Sequence, residues 1–485
     1  MKNKLADILP ISNTVITRDT PLDSSLLDAM VELGVIGIFR SLKISKRSGE
    51  TSIEQIVYAL LLMSFLSVSN VWCFAGKFLD IYIPGGKDVL YCFLSRQDIN
   101  WSLIHLHLAR KLWSKHYVES DELRAFVLDD TLKKRRGKKV QAMSSHFDHN
   151  EGRHVMGQQV LQFGISDTRG FLPLLCQIFV GKKKATKRGK EFNDKRSAIA
   201  RSYQTAYDLN KHEMLASFLT RALSFGFYTP FLIADSWFGT KSNLSLAISC
   251  DLTAIFMMKR NKTKYRYQGK DFTLKGLYRN IKKNQFASGK RFMYATLIVD
   301  FNLAGPKEEP KWQTVKLVFS KAKKAPKGSW VVILCTEPSI EAEKILEIYA
   351  LRWSIECYFK EIKQNFGFLK EETGAYETHY ASIHLAAMRY VLLYHISLSQ
   401  LELKFAAIRK KLNFQMELFS FAVLAWDEIK HVVNGVLDEL LEGPLAQTIM
   451  KAIDERVTEY LHRALQIDTK SIEELQYAEK QGLLP

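Results

Sequence analysis

The pattern of apolar and polar positions predicts a helical beginning, a central part rich in strands and a helical end. Up to about residue 120 the apolar residues recur at helical spacing, and this stretch ends in the amphipathic run WSLIHLHLARKLWSKH. Breaks fall at Pro10, at Pro21 and in the turn PGGK that begins at Pro84. We therefore expect a small helical domain over residues 1–120.

Short apolar runs that are typical of strands follow this helical stretch. AFVLDDT is a strand that ends in acids, VMGQQVLQFGIS and FLPLLCQIFV make a hairpin around the turn DTRG, and FYTPFLIADSWFG holds another strand. Residues 195–226 return to helical spacing between the hairpin and that last strand. The order strand, hairpin, helix, strand predicts a mixed α/β sheet.

The second half of the chain repeats this change from strands to helices. Residues 255–335 are basic and contain the candidate strands IFMMKR, KYRYQG, FMYATLIVDF, TVKLVFSKA and WVVILCT. The run SIEAEKILEIYALRWSIECYFKEIKQNFGF then predicts one uninterrupted helix, with Ser339 placed to cap its acidic first turn. Residues 380–485 are also helical in pattern, with a break at Gly443 and Pro444.

Charge is the unusual feature of the composition. The 485 residues, 47% of them hydrophobic, allow roughly three globular domains, and 69 Lys and Arg against 51 Asp and Glu leave a net charge of +18. This charge favours a polyanionic partner, with nucleic acid ahead of an anionic membrane surface. The six cysteines form no C-x-x-C pair, which indicates buried thiols in a reducing cytoplasm and neither a disulfide framework nor a zinc ribbon.

Residues 56–75 are uncharged over a length that would span a bilayer. Ser64, Ser67 and Asn70 interrupt this run, and no juxtamembrane basic cluster accompanies it, so we expect a buried core helix. The N-terminal sequence lacks the apolar core of a signal peptide. These features predict a cytoplasmic protein without a membrane partner.

Two acids stand where apolar strands end, Asp129 in AFVLDDT and Asp235 in FLIADSWFG. Taken alone, each is more simply explained as a residue that caps a turn. A third acid, Glu356, changes that balance. At 100° per residue on the predicted helix, it falls within an arc of about 60° together with three other polar residues. The four residues of this arc are Tyr349, Arg352, Glu356 and Lys363.

This polar face has two explanations. It is either a solvated salt-bridge surface or a functional surface on a helix whose other side, with Ile355, Phe359 and Ile362, is anchored on a sheet. Three carboxylates from two strand ends and one helix are the ligands that a two-metal phosphodiester site needs. Arg352 and Lys363 would then hold the backbone of a nucleic acid.

The spacing Tyr-x2-Arg-x3-Glu-x6-Lys of these four residues resembles the signature of the DDE transposases of the insertion sequence 4 family. The Asp-x-Thr at Asp129 and Thr131, the turn DSWFG that begins at Asp235, and WVVILCTEP resemble the same family in the same order. The resemblance covers residues 123–400. It implies an α/β fold with an RNase H-like core of mixed sheet and helices, a β-rich insertion, and flanking helical regions.

The resemblance also implies a division of the chain into five parts. They are a helical N-terminal DNA-binding domain over 1–120, the first part of the core over 121–254, the basic insertion over 255–338, the second part of the core over 339–400, and a helical region over 401–485 that is the candidate for dimerisation.

By the same resemblance, Asp129, Asp235 and Glu356 are the catalytic residues and ligands of two Mg²⁺ ions, for which Mn²⁺ substitutes. Tyr349, Arg352, Lys363 and Trp330 are its DNA-binding residues. Two alternatives stay open. Trp330 is either a residue that stacks on a flipped base or a strand-edge core aromatic. Asp130 competes with Asp129 as the first ligand, because neighbours in a strand point to opposite faces.

Weaker signals accompany these motifs. Basic runs at 133–139, 182–190, 259–270 and 321–327, one of them interleaved with tyrosines, favour a DNA track over four unrelated solvated loops. A zinc site at the histidines of SSHFDHNEGRH is disfavoured, because no cysteine joins them.

The expected function is that of a bacterial transposase. It would bind the terminal inverted repeats of its element, cleave the DNA ends, join the 3′ ends to target DNA, and act as a homodimer on paired ends in the nucleoid. The alternatives are a metal-dependent DNA nuclease without strand transfer and a non-catalytic DNA-binding protein derived from a transposase.

Overall fold

A computed structural model of the chain describes these residues: 25–44, 51–68, 70–83, 85–118, 122–137, 139–148, 151–182, 184–289, 292–305, 308–324, 326, 328–400, 404–441 and 443–465. The predicted breaks at Pro10, Pro21 and Pro84 lie outside them. The chain forms two compact units. We call Leu33–Leu401 the sheet unit, and Met1–Glu32 with Glu402–Pro485 the hairpin unit.

The strands are β1 Ala125–Lys134, β2 Ser144–Asp148, β3 Arg153–Ser166, β4 Phe171–Phe179, β5 Phe231–Ala234, β6 Thr253–Met257, β7 Lys264–Tyr267, β8 Lys270–Thr273, β9 Ala287–Ser288, β10 Phe292–Asn302, β11 Trp312–Ala322 and β12 Val331–Cys335. All of them belong to one mixed sheet of 12 strands in the sheet unit. The prediction of a mixed α/β sheet is thereby confirmed.

The α-helices are α1 Ser25–Glu32, α2 Val35–Ser41, α3 Ile53–Leu62, α4 Val71–Ala75, α5 Leu79–Tyr82, α6 Lys87–Leu94, α7 Trp101–His116, α8 Ala198–Asp208, α9 Lys211–Ser224, α10 Lys241–Ser249, α11 Leu274–Asn280, α12 Ala342–Ala350, α13 Trp353–Gln364, α14 Tyr376–Ser399, α15 Phe405–Leu440 and α16 Gly443–Leu465. Short 3₁₀ turns occur at Met63–Leu66 and Lys283–Gln285.

The half of the sheet that carries the two strand-end acids has the order β4-β3-β1-β5-β6. Strands β1, β5 and β6 are parallel to one another, and β3 is antiparallel to both β1 and β4. Phe126, Val127 and Leu128 in the middle of this half are fully buried. A continuous apolar run is what a strand covered on both faces requires, and this explains the pattern of AFVLDDT.

The basic β-rich region extends the same sheet. Beyond β6 the order continues as β12-β11-β10-β7-β8, and each of these pairs is antiparallel. Tyr265 of β7, which we had grouped with the basic surface, is 1% exposed and stacks on Phe301 of β10 at 4.7 Å between ring centroids. This tyrosine therefore belongs to the core of the extension.

Two predicted helices are each divided in the structure. The helix expected from Ser339 onward begins at Ala342 and is divided into α12 and α13, because a tight turn follows Ala350. Ser339 does not cap it, since its hydroxyl donates to Glu337 at 2.7 Å. The helix expected over 195–226 is divided into α8 and α9 because Asn210 forms a capping box with Glu213.

Most of the uncharged run 56–75 is core, as predicted, but Trp72 is 65% exposed and the run does not form one helix. It lies in α3, a 3₁₀ turn and α4, and Leu60, Leu61 and Phe65 are at most 1% exposed. Within the described part of the chain, none of the helices has the length and apolar character needed to cross a membrane.

The hairpin unit contains the long helices α15 and α16, which pack against each other. Trp426 donates from Nε1 to a carboxylate oxygen of Asp454 at 2.9 Å, and Lys430 pairs with the same carboxylate at 3.2 Å. The predicted break at Gly443 and Pro444 is confirmed, because α16 begins at Gly443.

Candidate active site

The two strand-end acids leave neighbouring parallel strands side by side. Leu128 of β1 pairs with Ala234 of β5, so the next residues, Asp129 and Asp235, follow in the same register. Carboxyl ends of adjacent parallel strands are where side chains converge in α/β folds. The register of the sheet therefore brings together two acids, Asp129 and Asp235, that are 106 positions apart in the sequence.

A tight turn orients the second acid. One carboxylate oxygen of Asp235 accepts hydrogen bonds from the backbone N–H groups of Trp237 at 2.9 Å and Phe238 at 3.4 Å. The turn then passes so close to β6 that a Cβ on Gly239 would stand 2.4 Å from the carbonyl oxygen of Met257. The glycine of DSWFG is thus required by this close approach.

Helix α13 is anchored by its apolar side, as its spacing predicts. Ile355 and Ile362 are fully buried and Phe359 is 5% exposed. The buried Tyr358 hydroxyl donates to the amide oxygen of Gln162 on β3 at 3.1 Å. These contacts fix the helix that carries Glu356 against the sheet.

Arg352 connects the first acid to the third. Its Nη1 donates to a carboxylate oxygen of Asp129 at 2.8 Å and to Glu356 at 3.1 Å. Burial acts to lower the pKa of Arg352, but the nearby Tyr349, Asp129 and Glu356 leave it raised. The guanidinium is therefore a cation held between two carboxylates.

Arg352 does not fully offset the repulsion between Asp129 and Asp235. Burial, together with the charge of Asp235, raises the pKa of Asp129 to about 7 against the opposing effect of Arg352. Burial also raises the pKa of Asp235. Two carboxylates that resist ionisation beside each other are stabilised by additional positive charge.

The donor set fits a divalent metal, because hard carboxylate oxygens and an excess of buried negative charge are what Mg²⁺ requires. Among the described residues, the carboxylates of Asp129, Asp235 and Glu356 do not all lie within 4.8 Å of one another. Arg352 stands between Asp129 and Glu356. The arrangement is thus acid–cation–acid, with the arginine supplying the positive charge.

Asp130 has a different set of partners from Asp129. Its carboxylate accepts from Lys211 and from Gln159, each at 2.5 Å. The Lys211 side chain is 4% exposed, and its Nζ also lies 4.2 Å from the ring centroid of Trp237. Asp130 therefore neutralises a buried lysine that steadies the turn after β5.

The other signature residues lie at the margins of this cluster. Tyr349 is on α12, and burial raises its pKa to about 12. Lys363 is on α13, and burial lowers its pKa although Glu356 acts in the opposite direction. Within the described ranges Lys363 has no carboxylate closer than 4 Å, so its charge is available to a ligand.

Trp330 is packed in the β-rich part of the sheet unit. It is 8% exposed, stacks on Tyr278 at 4.2 Å and carries the guanidinium of Arg260 over its ring at 4.9 Å. A base could stack on this ring only if one of those neighbours moved. The placement favours the core explanation of Trp330 that we left open.

Sequence reasoning missed three polar or aromatic residues next to the acids: Lys211, Gln159 and Trp237. Trp237 is 47% exposed and is the large aromatic surface beside Asp235. It was visible in the DSWFG motif, where we assigned it no role. No motif marks Lys211 or Gln159, because only the packing of α9 and β3 brings them to Asp130.

Several residues of the basic runs and of the segment SSHFDHNEGRH form ion pairs or hydrogen bonds within the protein. Lys134 pairs with Asp148 at 2.6 Å, and Arg260 donates to the Gly328 carbonyl at 3.0 Å. His146 shares a hydrogen bond with Ser144 at 2.8 Å, and His149 lies outside the described residues. A continuous DNA track along these runs stays a prediction.

Comparison with known proteins gives one family match. Residues 76–272 match the family described as DDE superfamily endonuclease. The match includes Asp129 and Asp235 and ends before Arg352 and Glu356. It supports a DDE-type nuclease or transposase, and it does not distinguish the insertion sequence 4 family.

No curated protein matches the chain. Among solved structures, the NurA nuclease from Sulfolobus solfataricus aligns at 12% identity over 55% of this chain and 82% of its own, with a TM-score of 0.24. A structural similarity with so low a TM-score supports neither a fold nor a function for this chain.

The two neighbouring aspartates should differ in their effect on stability. The folded pKa of Asp129 lies above its ordinary value of 3.8, so its ionisation costs stability as the pH rises from about 4 to about 7. Asp129→Asn should therefore raise the melting temperature at about pH 8, and less so at about pH 5. Asp130→Asn should lower it, because a buried lysine left without its anion typically costs about 3–5 kcal/mol.

Thermal melts of the two variants at both pH values test this assignment. Each variant is the control for the other, since both make the same chemical change one residue apart. Destabilisation of the protein by Asp129→Asn at the higher pH would show that Asp129 is a structural acid.

Proposed function

We propose that the chain is a metal-dependent DDE transposase with an RNase H-like core, acting on double-stranded DNA. The observation that carries this proposal is the cluster of Asp129, Asp235 and Glu356 around Arg352 at the edge of the parallel strands. Support comes from the DDE superfamily endonuclease match over 76–272 and from a sheet whose first half has the order β4-β3-β1-β5-β6. The net charge of +18 suits a polyanionic substrate.

The three carboxylates would hold the divalent ions, Mg²⁺ or in its place Mn²⁺. Bound there, two such ions would activate the attacking oxygen and stabilise the leaving oxygen of the phosphodiester. The residues of the chain have the complementary tasks. Asp235 is held by its turn, Glu356 by the anchored α13, and Asp129 by the end of β1.

Arg352 has two tasks in this scheme. Without other cations it neutralises Asp129 and Glu356, and this reduces the repulsion that burial imposes on them. If those acids receive other positive charge, the guanidinium is free to bind a phosphate of the DNA backbone in bidentate fashion. Lys363, which shares α13 with Glu356, supplies a second phosphate contact.

Two rival functions remain in view and differ in their products. A nuclease would cut DNA without joining it, and a transposase-derived binding protein would do neither. Genomic DNA of the encoding organism should be selected for fragments that the full chain retains, and the retained fragments incubated with Mg²⁺ and a second DNA. Cut 3′ ends joined to the second DNA support the proposal, cut but unjoined ends favour the nuclease, and intact DNA favours the binding protein.

Glu356→Gln should abolish cleavage and leave DNA binding within a few fold, because it removes one carboxylate ligand but none of the basic surface. The matched control is Glu347→Gln, an exposed acid of α12 that pairs with Lys344. Cleavage products and binding isotherms are measured on the same DNA. Cleavage by the Glu356 variant at the rate of the unaltered chain would remove Glu356 from the site.

Lys363→Ala should weaken DNA binding and reduce the slope of log affinity against log salt by about 0.9, as expected when one phosphate contact is lost. Lys344→Ala is the control, because that lysine is an exposed cation paired within α12. Binding isotherms at several salt concentrations give both slopes. Equal slopes for the Lys363 variant and the unaltered chain would contradict the contact.

The second copy that paired ends require would bind along α15. Apolar residues recur there at intervals of three, four, five or seven residues and are 46–73% exposed: Phe414, Phe421, Leu424, Ile429, Val432, Val436 and Leu440. Such a stripe on a helix of 36 residues, about 54 Å long, suits pairing with a second copy. We therefore propose that the hairpin unit forms the homodimer contact.

Val432→Glu with Val436→Glu should convert the dimer into a monomer, because the charges would have to be buried in the contact. The control is Glu428→Gln with Asp438→Asn, a pair of changes on the same helix that adds no charge. Light scattering gives the mass, and a native gel shows single-end and paired-end complexes. A dimer that survives the two glutamates, or a chain that is monomeric before any change, would place the contact elsewhere.

A further inference from the structure

Three residues that ligate transition metals meet in the core of the sheet unit, and none of them is a residue of the candidate active site. His105 lies on α7, Cys176 on β4 and His384 on α14. Both histidines are fully buried and the cysteine is 4% exposed. One ligand atom from each lies within 4.8 Å of the other two.

The spacing of these atoms suits a tetrahedral ion. Nδ1 of His384 lies 3.4 Å from Nδ1 of His105 and 3.5 Å from Sγ of Cys176. A zinc ion with bonds of about 2.0 Å to nitrogen and about 2.3 Å to sulfur separates two nitrogen ligands by roughly 3.3 Å, and a nitrogen from a sulfur by roughly 3.5 Å. The observed separations are those of two edges of such a tetrahedron.

The hydrogen bond behind the cluster sets the ring orientation of His105. Its Nε2 lies 3.0 Å from the carbonyl oxygen of Pro173, to which it must donate. The lone pair of His105 is therefore on Nδ1, which faces His384. Metal-bound histidines usually donate their other nitrogen to a carbonyl or carboxylate in this way.

Hydrogen bonds satisfy all three groups only through one long contact of the thiol. If Nδ1 of His384 carries the proton it donates to His105, and the Cys176 thiol then has only Nε2 of His384 at 3.9 Å. If the thiol donates to Nδ1 of His384 instead, two nitrogen lone pairs face each other at 3.4 Å. One cation between the three atoms would accept every lone pair.

Burial favours the metal-binding form of the two histidine rings and opposes that of the thiol. Burial lowers the pKa of His105 to about 4 and lowers that of His384, so both rings are neutral ligands near neutral pH. Burial raises the pKa of the Cys176 thiol, and binding of an ion would release its proton to solvent.

A cavity adjoins Cys176, whereas neither histidine lines it. It has a volume of about 350 Å³ and is lined by Cys176, Tyr380, Arg201 and Arg221 among others, with no Asp or Glu in its lining. A water or small anion in this cavity can complete the coordination of an ion held by three protein ligands. Positive arginines beside the site favour an anion as that fourth ligand.

We propose that His105, Cys176 and His384 form a structural site for one thiophilic transition-metal ion, with Zn²⁺ as the probe. The ion would tie helices α7 and α14 to strand β4. It would stabilise the sheet unit independently of the DNA chemistry proposed above.

The full chain should be purified after growth with zinc, dialysed without a strong chelator and analysed for metal. We expect about one zinc per chain, and its removal by a strong chelator should lower the melting temperature. Replacement by Co²⁺ should give a thiolate-to-cobalt charge-transfer band, a signature that a carboxylate site does not produce. This spectrum needs no variant, so it is independent of any folding defect.

Cys176→Ala and His384→Gln should each lose the zinc and the cobalt band. Cys335→Ala, a buried thiol that donates to the Glu337 carbonyl at 3.3 Å, should keep both, and so should Asp129→Asn. Purified chain without zinc or a cobalt band would overturn the proposal. So would zinc that survives Cys176→Ala, or zinc that Asp129→Asn removes, since the ion would then lie at the acids. None of these three measurements depends on DNA cleavage, so they test the zinc site separately from the proposed function.

Discussion

Repulsion among carboxylates at one edge of the sheet is the constraint that organises the candidate site. The register of β1 and β5 brings Asp129 and Asp235 side by side, and burial raises the pKa of both. Arg352 offsets part of this cost by bridging Asp129 and Glu356. A site that stores unfavourable charge in this way favours cations, and this is the physical basis for proposing a divalent-metal enzyme.

The surrounding packing holds the acids where that repulsion cannot relax. Helix α13 is fixed by buried Ile355 and Ile362, and Gly239 lets the turn after Asp235 press against β6. Asp130 uses the opposite face of β1 to neutralise the buried Lys211. Neighbouring aspartates thus have different partners, although the charge of Asp130 also acts to raise the pKa of Asp235 and of Asp129.

Local pattern predicted most of the strands and the two aspartates at their ends, because apolar runs form buried strands and acids mark where these end. Glu356 was singled out by helical spacing instead, since it lies on α13. The pattern failed where the outcome depends on distant partners. Nothing near Tyr265 in the sequence shows that Phe301 covers its ring, and nothing near Arg352 shows that the helix divides before it. The partners Lys211 and Gln159 of Asp130, and the meeting of His105, Cys176 and His384, arise only from tertiary packing.

Iron-mediated cleavage of the protein itself tests the proposed metal site most directly. Fe²⁺ takes the place of Mg²⁺ at carboxylate sites, and with ascorbate and peroxide it cuts the backbone nearest to where it is bound. If the three acids bind the ion, fragments should end near Asp129, Asp235 and Glu356, be suppressed by excess Mg²⁺ and be absent from Asp129→Asn. Cuts confined to other parts of the chain, or cuts that Asp129→Asn leaves unchanged, would contradict a metal-binding role for these acids.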